Sequence, residues 1–245
     1  MKPVFFAKEF ENNNLTNHIV FICDHASNYI PRRYHKLGIS KIDLKSHIAF
    51  DIGAKNLTIN LAKKLKQSYF LSNFSRLLID PNRKEVDREL IAVRSFDVDV
   101  PRNLNISDRE REYRINFYYD VYHTNLATFV KKKINKYTNV FLVSIHSFTK
   151  HSRNFDRGVE IGLLWSKNMD LLLPIQKNLN DNKIHFGRNF PYSGFHYNYT
   201  IDRICMNVDL KNITIEIRND LICNQKGIKK YLVLFSNIFK EILNE

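Results

Sequence analysis

Four segments of this 245-residue chain carry side chains able to do chemistry: CDHAS at residues 23–27, DPNR at 80–83, HS at 146–147 and EIRND at 216–220. They are distant in sequence and chemically coherent. Two imidazoles and a carboxylate can hold a zinc ion with a fourth position open to water. Such a site polarises a carbonyl and brings the pKa of the water toward ~7. A further glutamate could then move protons. Other routes compete for the same residues. Cys23 beside His25 suggests thiolate attack, but neighbours on an extended chain diverge, whereas nucleophile and base must approach to ~3 Å. A serine route through Ser27 or Ser147 lacks the G-x-S-x-G turn that exposes such a nucleophile. Metal-assisted hydrolysis also gives work to the second histidine and the late glutamate, which the cysteine route leaves idle.

The elements that must position these residues follow from periodicity. Short β-branched apolar runs predict strands over residues 18–23, 69–80, 139–148, 159–165 and 212–218. Helical spacing of Leu57, Ile59, Leu61, Ala62 and Leu65 predicts a helix beginning near Ile48. A long amphipathic helix is expected over 107–136, with Ser107 as N-cap and Glu110 three residues on as a capping box. Further helices are expected over 169–179 and 227–243. Strands and helices alternate, and no repeat or linker divides the chain. The expectation is therefore an α/β fold, one domain over 1–245, with a mixed, mainly parallel sheet flanked by helices. In such folds ligands bind beyond the carboxyl ends of the strands, where the four segments would converge.

Composition narrows the partners. The chain has 44% apolar and 26% charged residues, and 38 basic against 25 acidic residues give a net charge of +13. The longest basic run, Lys131 to Lys133, falls where a helix should face water, and no nucleic-acid-binding signature accompanies the charge. A small anionic substrate is the expected partner, with neither nucleic acid nor membrane. Three cysteines without C-x-x-C spacing argue against a disulfide framework or a thiolate zinc site. No run approaches ~18 apolar residues, and Glu9 and Glu11 interrupt any leader peptide, so a cytoplasmic location is expected.

The motifs also carry a family resemblance. CDHASNYIP (23–31), HIAFDIGA (47–54), SRLLIDPNR (75–83), SIHSF (144–148), NFPYSG (189–194) and IEIRNDLI (215–222) resemble, in order, the segments of the N-formylglutamate amidohydrolase family. A more distant likeness runs to the zinc carboxypeptidases. Together they imply a phosphorylase/hydrolase-like, zinc-carboxypeptidase-like fold. The implied activity splits N-formyl-L-glutamate to L-glutamate and formate in histidine degradation, with zinc or another divalent metal as cofactor. The resemblance implies His25 and His146 as metal ligands, Glu216 as general acid/base, and Arg83 as binder of a substrate carboxylate or developing oxyanion. It further implies substrate contacts from Asn82, Ser147, Asn189 and Tyr192. One departure is visible. The carboxypeptidase pattern places Glu three residues after the first histidine, and this chain has Asn28 there, a poor zinc ligand. Asp51 is the expected replacement, with Asp24 as the alternative or as an orienting partner of an imidazole. His47 could ligate or shuttle a proton, whereas His123 is left out. A substrate with two carboxylates needs more than one cation, which brings in Arg76 beside Arg83. Arg218, two residues after Glu216, is expected on the same side of its strand.

Overall fold

The computed structural model describes residues 2–10, 15–152, 155–206 and 208–244, so Glu11, one of the two acids that weighed against a leader peptide, lies outside it. Seven strands form one sheet: β1 (Phe5–Lys8), β2 (Asn17–Cys23), β3 (Ser68–Ser72), β4 (Asn139–Phe148), β5 (Ile161–Leu164), β6 (Phe186–Arg188) and β7 (Lys211–Arg218). Their spatial order is β1-β3-β2-β4-β7-β5-β6. Four neighbouring pairs run parallel, and the β1–β3 and β7–β5 pairs run antiparallel. β2 is buried along its whole length, because it sits mid-sheet with both faces covered. That placement explains a continuous apolar run in place of an alternating one.

Strand alternation divides the side chains between two cores. On one face Ile19, Phe21 and Cys23 of β2, Val143 and Ile145 of β4 and Ile213, Ile215 and Ile217 of β7 meet three helices: α1 (Ala54–Leu65), α4 (Leu172–Asp181) and α7 (Gln225–Asn244). On the other face Val20, Ile22 and Leu142 meet Tyr122, Leu126 and Val130 of α3 (Asp120–Ile134). The in-between residues of β4 and β7, Ser144 and His146, Thr214 and Glu216, belong to this second face by the same alternation. They pair across the sheet in register. The polar side chains inside β4 and β7 therefore share one face.

Three expectations are corrected. The strand expected over 69–80 ends at Ser72. Ser75 starts a turn, its hydroxyl donating to the Ala49 carbonyl at 2.8 Å and accepting from the Leu77 amide at 3.2 Å. Such local side-chain bonds compete with a strand ladder, while Leu77, Leu78 and Ile79 stay buried in the second core. The helix expected near Ile48 begins at Ala54 behind Gly53, whose φ of 83° ends the preceding loop. The helix expected over 107–136 is α2 (Asp108–Arg114), a π-turn over Ile115–Tyr119, and then α3. Ser107 does cap it, accepting from the Glu110 amide, but the Glu110 carboxylate pairs with Arg114 and Arg33 and does not close a capping box. Two short helices, α5 (Gly194–Tyr197) and α6 (Tyr199–Cys205), precede β7. No helix among the described residues is long and apolar enough to cross a membrane.

Candidate active site

His25 follows β2, His146 lies near the end of β4, and Asp51 sits in the loop before α1. The backbone ties the first and last together, since the Asp51 amide donates to the His25 carbonyl at 2.9 Å. All three side chains are buried, and one ligand-type atom of each lies within 4.8 Å of the others. Asp51 Oδ2 stands 2.9 Å from His146 Nδ1 and 3.4 Å from His25 Nδ1, and it accepts from the Ser147 amide at 3.2 Å.

The far side of each ring is also held. His25 Nε2 meets Asp80 at 2.7 Å and His146 Nε2 meets Asp24 at 3.2 Å. Asp24 accepts in turn from the Tyr122 hydroxyl at 2.7 Å, and Asp80 from Arg76 and the Asn82 amide, both at 2.9 Å. A carboxylate on Nε2 fixes the tautomer and leaves Nδ1 free to face Asp51. Burial opposes charge on both imidazoles, yet the surrounding carboxylates outweigh it. The pKa of His25 is raised and that of His146 raised well above its ordinary value. Burial alone would raise Asp80, but His25 and Arg76 hold it well below the usual carboxylate range. Asp51 is lowered for a like reason, by both imidazoles.

This donor set fits a divalent cation. Two imidazole nitrogens and one carboxylate, each oriented from behind, match the three-ligand pattern of catalytic metal sites, in which a fourth position stays open. His25, Asp51 and His146 all line a cavity of about 620 Å³. Glu216 lines it as well, from the residue of β7 paired with His146. Glu216 is 8% exposed and its Oε2 has no hydrogen-bond partner among the described residues. Burial pushes its pKa up to about 7, with the Asp51 charge acting in the same direction against the pull of His146.

Most of the expected site residues converge here. Arg76, Asn82, Arg83, Ser147 and Tyr192 line the cavity. Arg76 stands 2.9 Å from Asp80, 3.6 Å from Asp51 and 3.2 Å from His25 Nδ1. Arg83 pairs with the exposed Glu89 and Asp87. Asn82 spends its side chain on the fold, donating to the Tyr197 carbonyl and accepting from the Thr200 amide. The Ser147 hydroxyl donates to the Ile52 carbonyl.

Two residues stand outside the cavity. Arg218 is the last residue of β7, and its guanidinium turns to Asp220 at 2.8 Å, in the 3-10 turn that follows. Asn189 accepts from the amides of Trp165 and Gly194 and so braces the loop that carries Tyr192. The thiolate route is also turned away. Cys23 faces the opposite core from His146, and burial raises its thiol pKa well above the ordinary value. Asn28 donates to the Leu44 carbonyl. His47 lines the cavity with an Nε2 that has no hydrogen-bond partner among the described residues and an edge contact to Phe96, while His123, which does not line it, bonds the Pro81 carbonyl.

Sequence reasoning missed Asp80 as a partner of His25, and Arg157 altogether. Asp80 stood within a motif already singled out. Arg157 offers only a weak signal, an arginine between Asp156 and Gly158 in the loop after the strand that carries His146.

Known proteins agree with this architecture. The gene product Atu2144 from Agrobacterium tumefaciens is 28% identical, with a TM-score of 0.92 over 99% of this chain and 96% of its own. N-formylglutamate amidohydrolase from Ralstonia eutropha JMP134 shares the fold at 17% identity, with a TM-score of 0.74 over 98% of this chain and 97% of its own. A search of curated proteins found no match. The family model described as N-formylglutamate amidohydrolase matches residues 17–223, a span that includes His25, Asp51, His146 and Glu216. On that match the chain belongs to the N-formylglutamate amidohydrolase family, whose activity is hydrolysis of an amide C–N bond.

Proposed function

We propose that this amidohydrolase cleaves N-formyl-L-glutamate to L-glutamate and formate, with zinc or another divalent cation as cofactor and Glu216 as general acid/base. The observation that carries the reading is the buried carboxyl of Glu216, whose Oε2 has no hydrogen-bond partner among the described residues, in the same cavity as the His25–Asp51–His146 cluster. His25, Asp51 and His146 would hold the cation, which when bound supplies a Lewis acid for the scissile carbonyl and its attacking water.

The chain's own residues supply the rest. Glu216 takes a proton from the attacking water and passes it to the leaving nitrogen; a carboxyl poised near neutrality does both efficiently. Asp24 and Asp80 keep the imidazoles in the tautomer that presents Nδ1. Arg76 is the cation nearest the cluster and supports negative charge on the carbonyl oxygen. The acids paired with Arg83, Glu89 and Asp87, are exposed, so a substrate carboxylate can replace them at small cost. Asn82, Ser147 and Tyr192 shape the wall. The net charge of +13 favours approach of an anionic substrate.

Formate release by the purified enzyme tests this reading, measured as isolated, after chelation and after zinc is restored, alongside metal analysis. The expected result is release that chelation abolishes and zinc restores. Release that ignores chelation in metal-free protein would sink the metal assignment. Zinc-loaded protein that releases no formate would sink the substrate and turn attention to other N-acylamino acids.

A further inference from the structure

Four arginines line the cavity, and the acids around them are shared unequally. Arg76 has Asp80 and Asp51, Arg83 has Glu89 and Asp87, and Arg94 has Asp99 and Asp97. Arg157 has no carboxylate within ion-pair distance among the described residues, although it is only 6% exposed and therefore the most secluded of the four. Its hydrogen bonds among those residues leave from one end of the guanidinium. Nη1 donates to the carbonyl of Thr149 at 2.8 Å and to its hydroxyl at 3.0 Å. The group lies over the rings of Tyr192 at 4.8 Å and Phe148 at 5.6 Å.

Burying a cation is costly unless something compensates for its lost hydration. Ring stacking compensates in part and fixes the plane of the guanidinium. It does not use the forked N–H edge, whose geometry matches a carboxylate through two parallel hydrogen bonds. A pre-oriented fork without an acid, in a cavity that also holds Glu216 and the His25–Asp51–His146 cluster, is a receptor for an anion that arrives from outside.

We propose that Arg157 is the specificity-determining anchor for a carboxylate of an N-acylated amino acid, held flat by Tyr192 and Phe148. The assignment rests on the substrate class proposed above and gives one of its two carboxylates a dedicated partner, distinct from Arg83. The anchored group is the α-carboxylate or the side-chain carboxylate, and the test separates them.

The zinc-loaded full chain is compared with Arg157→Met and Arg157→Lys, each checked by thermal melting. Kinetics are measured on N-formyl-L-glutamate, N-formyl-L-glutamine and N-formyl-L-isoglutamine, the last two lacking one carboxylate each. Loss of a charged hydrogen-bond pair should raise KM for N-formyl-L-glutamate by roughly 10–150-fold in Arg157→Met, with kcat changed far less and Arg157→Lys in between. Of the two monoamides, only the one that keeps the anchored carboxylate should show the same penalty. Calorimetric titration with L-glutamate reads the anchor independently of turnover. Glutamate affinity that falls in both variants while no substrate is cleaved would overturn the deformylase reading and leave the anchor standing. Unchanged KM in a folded Arg157→Met protein, equal glutamate affinity in all three proteins, or no glutamate binding to the wild type would overturn the anchor.

Discussion

Glu216 and His146 occupy paired positions on adjacent parallel strands, so one backbone register sets the distance between the proposed proton carrier and the His25–Asp51–His146 cluster. Replacing Glu216 by Gln preserves shape and removes only the titrating oxygen. Turnover is expected to fall ~10²–10⁴-fold, the usual worth of a general acid/base, with metal content and melting temperature nearly unchanged. Steady-state kinetics beside metal analysis decide the matter, and near-normal kcat would remove Glu216 from its role. His25, His146 and Glu216 were readable in the sequence because each interrupts or follows an apolar β-branched run, where a polar residue is conspicuous. Arg157 was not, because its meaning lies in what it lacks, a carboxylate partner, and pairing is decided by tertiary contacts. Arg218 misled for the opposite reason: it still lies in the strand, but a local partner at Asp220 takes its guanidinium.

Among the elements, the loop from Asp51 to α1 is tightly constrained. Gly53 sits at φ 83°, and a Cβ there would lie 2.2 Å from the Ile222 carbonyl oxygen. Gly53→Ala is therefore expected to cost more than ~1 kcal/mol and to push the Asp51 loop away from the two histidines. Denaturant unfolding and metal content measured on the variant should fall together; an unchanged protein would show that the loop can yield without disturbing Asp51. The strands β4 and β7 were legible almost to the residue, since long β-branched runs have few alternatives. Boundaries set by local chemistry were not, as the Ser75 turn and the π-turn between α2 and α3 show. Residues 77–79 are as apolar and as buried as a strand, and only the hydroxyl of Ser75, bonding to Ala49 and Leu77, marks them as something else.

The whole molecule's response to acid is set partly by histidines that do not line the cavity. His18 is stacked on Tyr137 and bonded to Ser68, and burial pushes its pKa down to about 4; His123 is pushed down to about 4 in the same way. Such groups take up their protons on unfolding, so their contribution to stability is complete above pH ~6.5 and is lost as pH falls toward 4. Each is worth ~2–3 kcal/mol at the acid end of that window. Urea unfolding of the wild type and of His18→Asn, followed from pH 7 to 4, should show a shallower decline in the variant. Parallel declines would remove His18 from the acid response.

Sequence separation gives the site a temporal character as well. His25 and Glu216 meet only after β2, β4 and β7 have joined side by side, and those strands lie far apart along the chain. Non-local pairing of this kind demands the loop-closure entropy before it returns any contact energy, which makes it slow relative to local helix formation. The proposed site is thus an attribute of the finished sheet, and a chain caught with helices formed and strands unpaired carries each of its side chains yet has no cavity to hold them together.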